Sequence, residues 1–271
     1  MSICSIEEVA AATTKPFWFQ LYVMKDRGFV ADLIARARAA NCSALMLTMD
    51  LQILGQRHKD IRNGLATPPS LTLGSLLQMV ARPGWCRRML GTPRRRLGNL
   101  VGHVKGADDL QSMAKWADMQ FDLALSWADV DWIAARWNGP LIIKGVMDPL
   151  DAQAAARTGA QAIVVSNHGG RQLDGSPSTI RMLPRIVEAV GDRLEVHLDG
   201  GIRSGQDVFR AIALGAKGTY IGRPFLYGLG ALGEAGVTMA LEIIRKELDV
   251  TMALCGERRI TGIGLHNLVD L

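Results

Sequence analysis

The sequence is poor in the features that would make it a membrane-spanning, secreted or metal-centred protein. None of its apolar runs approaches the ~20 residues that a helix needs to cross a bilayer. Its first nine residues lack the basic flank and apolar core of a signal peptide. The four cysteines, Cys4, Cys42, Cys86 and Cys255, are scattered without CxxC or CxxH spacing, which excludes a disulfide framework and a zinc site. Reduced thiols in a cytoplasmic protein are the expectation, with no metal. One shortage has an address. Residues 61–107 contain no Asp or Glu, yet carry Arg62, Arg82, Arg87, Arg88, Arg94, Arg95, Arg96 and Lys105. Without those eight bases the net charge of +5 becomes −3, so the basic character belongs to one segment.

What remains is the ordinary balance of a folded protein, 48% hydrophobic and 21% charged, at 271 residues long enough for one large α/β domain. Short apolar runs alternate with longer amphipathic stretches, the pattern of βα units feeding a parallel sheet. Strands are predicted over 17–23, 44–49, 141–144, 162–166, 195–198 and 218–221, each apolar on both faces, as strands covered by helices must be. Helices are predicted over 28–40, 128–137, 149–158, 180–190 and 204–214, with Asp148 and Ser204 as caps. Six strands fit either a doubly wound open sheet or a barrel short of two strands. Pattern alone leaves both open.

Polar residues cluster where these strands end. Ile163 to Asp174 runs from a buried strand into Ser-Asn-His-Gly-Gly-Arg-Gln-Leu-Asp. His168 there is a candidate general base, and Arg171 a two-pronged carboxylate clamp. His197-Leu-Asp-Gly-Gly-Ile-Arg and Tyr220-Ile-Gly-Arg-Pro-Phe follow, two Gly-Arg loops about twenty residues apart. Loops of that kind after the last strands of a barrel grip phosphate through backbone N–H groups. Lys144 closes an apolar strand, where a buried ammonium needs an anionic partner. Nearer the start, Gln20 and Tyr22 share one side of a strand, Thr48 and Asp50 end the next, and Arg57 lies seven residues beyond Asp50.

Taken in order, Phe-Trp-Phe-Gln-Leu-Tyr-Val, Leu-Thr-Met-Asp with Leu-Gly-Gln-Arg, Ile-Lys-Gly-Val, Ser-Asn-His-Gly-Gly-Arg-Gln-Leu-Asp, Leu-Asp-Gly-Gly-Ile-Arg and Gly-Arg-Pro-Phe resemble the FMN-dependent 2-hydroxy-acid oxidase and dehydrogenase family. The likeness spans essentially the whole chain and looks nearest to the quinone-linked bacterial L-lactate dehydrogenases. It implies a TIM (β/α)8 barrel of which this chain holds about six of eight βα units, the family's first two strands having no counterpart before Gln20.

The resemblance also implies roles. His168 becomes the active-site base, with Asp50 stabilising its imidazolium. Arg57, Arg171 and Tyr22 become substrate-binding residues. Gln20, Thr48, Lys144 and Ser166 meet the flavin ring, where an ammonium at Lys144 would stabilise negative charge near N1. Asp199, Gly200, Gly201, Arg203, Gly222 and Arg223 take the ribityl chain and phosphate. The implied reaction is oxidation of an (S)-2-hydroxy acid, L-lactate foremost, by FMN. Electrons would pass to quinone or another acceptor, and a homo-oligomer, in tetramer form, is expected. The alternatives are an oxygen-using oxidase, a mandelate-type dehydrogenase, or an inactive barrel without flavin. A flavin or phosphate barrel of the isomerase kind would need a cysteine or acid where His168 and Arg171 stand. Residues 61–107, basic with an apolar face over 71–80, are expected to form a loop docking on the anionic inner face of the cytoplasmic membrane. Nucleic acid is not an expected partner.

Overall fold

The computed structural model describes residues 2–53, 55–64, 72–92, 96–103 and 110–269. Arg94, Arg95 and Lys105 of the basic segment lie outside them. The chain divides into two compact units, Met1–Pro140 and Leu141–Leu271.

In the first unit, β1 (Trp18–Tyr22) pairs in parallel with β2 (Ala44–Thr48), Tyr22 standing opposite Thr48. Helix α1 (Ile6–Ala11) opens the unit, and α2 (Arg27–Ala39) crosses between the two strands. It buries Phe29, Val30, Leu33, Ile34 and Ala37, the stripe that a 3.6-residue period sets on one face. Asp26 starts it, its carboxylate accepting from the Phe29 N–H at 2.9 Å. After α3 (His58–Arg62) come α4 (Leu73–Val80) and α5 (Pro83–Gly91), then α6 (Leu110–Met119) and α7 (Trp127–Trp137). Arg27 ties α2 to the start of α7, donating to Asp122 at 2.6 Å and Asp129 at 2.7 Å.

The second unit holds β3 (Leu141–Val146), β4 (Ala162–Val165), β5 (Glu195–Leu198) and β6 (Gly218–Thr219), paired in that order and all parallel. The helices α8 (Pro149–Ala155), α9 (Thr179–Val190) and α10 (Gly205–Ala213) supply the crossovers that parallel strands require. Asp148 and Ser204 cap α8 and α10 as the sequence predicts, Ser204 in a capping box with Asp207. A helical pair, α11 (Arg223–Leu232) and α12 (Glu234–Leu254), ends the unit.

All six predicted strands and five predicted helices are found, β5 with its predicted bounds and the others with ends moved by no more than three residues. The largest changes are the helix from Pro149, which stops at Ala155, β3, which runs on to Val146, and β6, which stops at Thr219. One expectation is corrected. β2 is buried throughout, but β1 is not covered on both faces, since Gln20 is exposed and Trp18 is 45% exposed. Among the described residues β1 has a strand partner on one side only, which leaves its outer residues uncovered.

Candidate active site

In the first unit Tyr22 and Thr48 close β1 and β2 side by side in the parallel register, and Gln20 stands two residues back on β1. Gln20 Nε2 donates to Thr48 Oγ1 at 2.8 Å and to the Tyr22 hydroxyl at 3.4 Å. Thr48 is buried, and Asp50 and Arg57 are half-buried beyond it. Burial pushes the Tyr22 hydroxyl above its ordinary range. The negative charge of Asp50 adds to the rise, and Arg57 opposes it. A tyrosine held neutral between a carboxylate and a guanidinium is equipped to hydrogen-bond an oxygen-rich ligand.

The second unit repeats the arrangement with more charge. Lys144, 8% exposed on β3, donates to Ser166 Oγ at 2.8 Å and lies 3.3 Å from Asp199 Oδ2. Burying an ammonium is costly unless it is paired, and here a hydroxyl and a carboxylate meet it. Ser166, fully buried after β4, also accepts from the His168 backbone N–H at 3.2 Å. His168, Gly169 and Gly170 all take positive φ, at 55°, 68° and 71°. A non-glycine residue is strained there, a state that persists only where surrounding bonds fix it. Such bonds surround this turn. Asn167 Oδ1 accepts from Gly170 N–H, Asn167 Nδ2 donates to Pro177 O, and Arg223 Nη2 reaches Gly169 O at 3.4 Å. Arg171 is exposed beside this turn.

After β5, Gly200 (φ 78°) and Gly201 (φ 109°) turn the chain. A Cβ on Gly200 would sit 3.0 Å from Asn167 Oδ1, so the two loops pack as closely as a bare backbone allows. Thr179 Oγ1 donates to Gly200 O at 2.7 Å and locks the pair. Gly222 and Arg223 begin α11, where the first N–H groups of a helix face an anion without helical partners. Arg203 is exposed, its N–H spent on Asp207.

Tyr22 and Thr48 close their strands and the other predicted site residues follow in loops or at the start of α11, except Gln20 and Lys144, which lie within β1 and β3; β3 runs two residues past Lys144, which the sequence placed at its end. Gln20, Tyr22 and Thr48 are joined by hydrogen bonds, as are Lys144, Ser166 and the His168 backbone, with Asp199 paired to Lys144. Asn167 was missed although it stands inside the quoted motif, and its signal was an amide beside residues of positive φ. The sequence alone assigns no role to His197 or Tyr220. They pair at 2.5 Å, His197 buried and Tyr220 half-buried.

A parallel α/β framework with a base, guanidinium groups and anion-ready glycine turns at its strand ends defines an enzyme that holds a phosphate-bearing cofactor. The model of the FMN-dependent dehydrogenase family matches residues 1–270, and the chain belongs to that family. It is 49% identical over 265 residues to an L-lactate dehydrogenase of Caulobacter vibrioides (strain NA1000 / CB15N), covering 97% of this chain and 69% of that one. An L-lactate dehydrogenase of Stenotrophomonas maltophilia (strain K279a) is 45% identical, over 100% of this chain and 72% of its own. Among solved structures, a monotopic membrane protein, (S)-mandelate dehydrogenase, superposes with a TM-score of 0.93 at 32% identity, covering all of this chain and 71% of that one. A mandelate oxidase with (S)-4-hydroxymandelic acid gives 0.79 at 36% identity, over 97% and 68%. The fold class is α/β of the (β/α)8-barrel kind, and the chain is an FMN-dependent 2-hydroxy-acid dehydrogenase.

The residues of the second unit fit FMN. Asp199 Oδ1 is buried with no hydrogen-bond partner among the described residues, an acceptor facing a missing donor such as a ribityl hydroxyl. Among the described residues nothing lies within 4 Å of a Cβ built on Gly201 or Gly222, so both turns leave room for a ligand against the backbone.

Proposed function

We propose that the chain oxidises L-lactate to pyruvate and passes the electrons to quinone while docked on an anionic membrane surface. FMN, when bound, supplies the acceptor of two electrons from the substrate α-carbon. The chain's residues do the rest. His168 takes the hydroxyl proton, and Asp50 stabilises the resulting imidazolium. Arg171 and Arg57 hold the substrate carboxylate, Arg171 through two parallel hydrogen bonds. Tyr22 donates to the substrate oxygens. Gln20, Thr48, Lys144 and Ser166 orient the flavin ring. Asp199, Gly200, Gly201, Arg203, Gly222 and Arg223 hold its tail. The observation that carries the lactate reading is the pair of relatives named L-lactate dehydrogenase at 45–49% identity.

The mandelate reading has one observation of its own, the 0.93 superposition on (S)-mandelate dehydrogenase. Anaerobic titration of the FMN-loaded protein with L-lactate and with (S)-mandelate separates the two. Faster loss of oxidised-flavin absorbance with lactate supports the proposal, and faster loss with mandelate replaces it.

The membrane part rests on α4 and α5. Leu73, Leu76, Leu77 and Val80 on α4, and Trp85, Met89 and Leu90 on α5, are exposed, with Arg82, Arg87 and Arg88 among them and no acid. No helix among the described residues is long and apolar enough to cross a bilayer. A segment of this composition lies in the interface, each base contributing ~1 kcal/mol near an anionic surface. Sedimentation with anionic vesicles at low salt, released at high salt, supports docking. Indifference to those vesicles, or to deletion of residues 68–102, refutes it and favours an oxidase using oxygen.

A further inference from the structure

His197 lies on β5 two residues after Glu195, and alternation along the strand puts the two on one face, with Asp199 just past the strand end. Its ring is 7% exposed, and both nitrogens are engaged. Nδ1 stands 2.5 Å from the Tyr220 hydroxyl and Nε2 stands 3.2 Å from Glu195 Oε2. Glu195 is open to solvent, its side chain 68% exposed. The ionisable groups of this unit around the ring are Glu195 on β5, Asp199 just past it and Tyr220 just past β6. On β4, Val164 is the cross-strand neighbour, and on β3 Lys144 pairs in turn with Val164. Lys144 and His197 are thus two strand spacings apart, roughly 10 Å.

Such a site can hold a proton or release it. In the neutral ring, Nδ1–H donates to the Tyr220 oxygen and bare Nε2 faces the Glu195 carboxyl. A proton arriving through Glu195 lands on Nε2, which then donates to the carboxylate, while Nδ1–H keeps the Tyr220 oxygen as its acceptor. Burial, with the charges of Asp199 and Glu195, drives Tyr220 upward, so tyrosine keeps its proton throughout. The exposed Glu195 carboxylate passes the proton in from water and back.

We propose that His197 is a second proton-holding group of this enzyme, taking a proton from solvent through Glu195 when negative charge is added beside Lys144 and returning it when that charge leaves. The proposal rests on the FMN reading for its trigger. Two electrons arriving from the hydroxy acid place the charge, and the same two leaving to the electron acceptor remove it. His168 keeps the substrate proton. The proton on His197 comes from water and goes back to water, so the overall stoichiometry is unchanged.

The test reads ring protonation by ¹⁵N NMR, first in the protein without flavin. Lys144→Met removes the positive charge of a side chain rooted two strand spacings, roughly 10 Å, from His197. At an effective dielectric constant near 20 this raises the ratio of protonated to neutral His197 about tenfold at fixed pH. Glu195→Gln lowers that ratio, and Lys246→Met on the outer face of α12 leaves it alone. In the parent with FMN, chemical reduction of the flavin moves the ratio as Lys144→Met does, and this reading stands if that variant does not fold. A ratio unchanged by Lys144→Met or by flavin reduction overturns the proposal, as does an equal response to Lys246→Met. Failure to take up FMN would overturn the cofactor reading instead, leaving the flavin-free coupling to decide this one.

Discussion

Replacing Ser166 with alanine removes one oxygen and little else, and the structure says what that oxygen holds. It accepts from Lys144 Nζ at 2.8 Å and from His168 N–H at 3.2 Å in a fully buried position. A hydrogen bond to a charged donor contributes about 1.5–3 kcal/mol and one to a neutral amide about 0.5–1.5 kcal/mol. Lys144 keeps Asp199 at 3.3 Å, so the ammonium is not stranded. The expected loss is about 3 kcal/mol, or roughly 5 °C in Tm for a protein of this size. Urea unfolding followed by tryptophan fluorescence measures it, with Ser178→Ala as the comparison. Ser178 is exposed before α9 and makes no capping hydrogen bond, so its loss should stay within ~0.5 kcal/mol. If Ser166→Ala costs no more than Ser178→Ala, the buried Lys144–Ser166 link is not holding the strand ends together.

Arg171→Lys should leave FMN binding unchanged and lower kcat/KM for the hydroxy acid, because an ammonium cannot make the paired grip of a guanidinium. Equal kcat/KM in the two proteins would remove Arg171 from the carboxylate site. Gly200→Ala forces a side chain into positive φ and against Asn167, so about 2 kcal/mol of stability and part of the FMN affinity should go, read by thermal unfolding and flavin titration. Glu7 is held at about 2, well below its ordinary 4.5, chiefly by the Arg36 guanidinium. A lowered carboxylate stabilises above its unfolded pKa and stops as pH falls through the folded one. The gap between parent and Glu7→Gln should therefore be full above about pH 5 and gone below about pH 2. The gap stays under about 1 kcal/mol because Glu7 is half exposed. Equilibrium unfolding across that pH range checks it.

The strands were legible because parallel strands under helices are apolar throughout, and Ile163 to Val165 or Leu45 to Leu47 read that way without neighbours. β1 misled because Trp18 and Phe19 are apolar in composition although Trp18 faces out. Asp148 and Ser204 were legible as caps because their bonds run to residues two or three along. The pair His197 and Tyr220 was not, since 23 residues separate partners that only the β5–β6 register brings together. The long α12 escaped for a related reason. Its sequence is apolar on more than one side, with Met239, Leu241 and Ile243 exposed, so no single stripe marks it.

The central claim is that this chain oxidises a 2-hydroxy acid with His168 as the base. It is tested by mixing the FMN-loaded protein with L-lactate without oxygen and following oxidised-flavin absorbance, for the parent and for His168→Ala. The account predicts bleaching in the parent and a rate lower by ~10²–10⁴ in the variant, with the flavin still bound. Equal bleaching rates in the two proteins would contradict it.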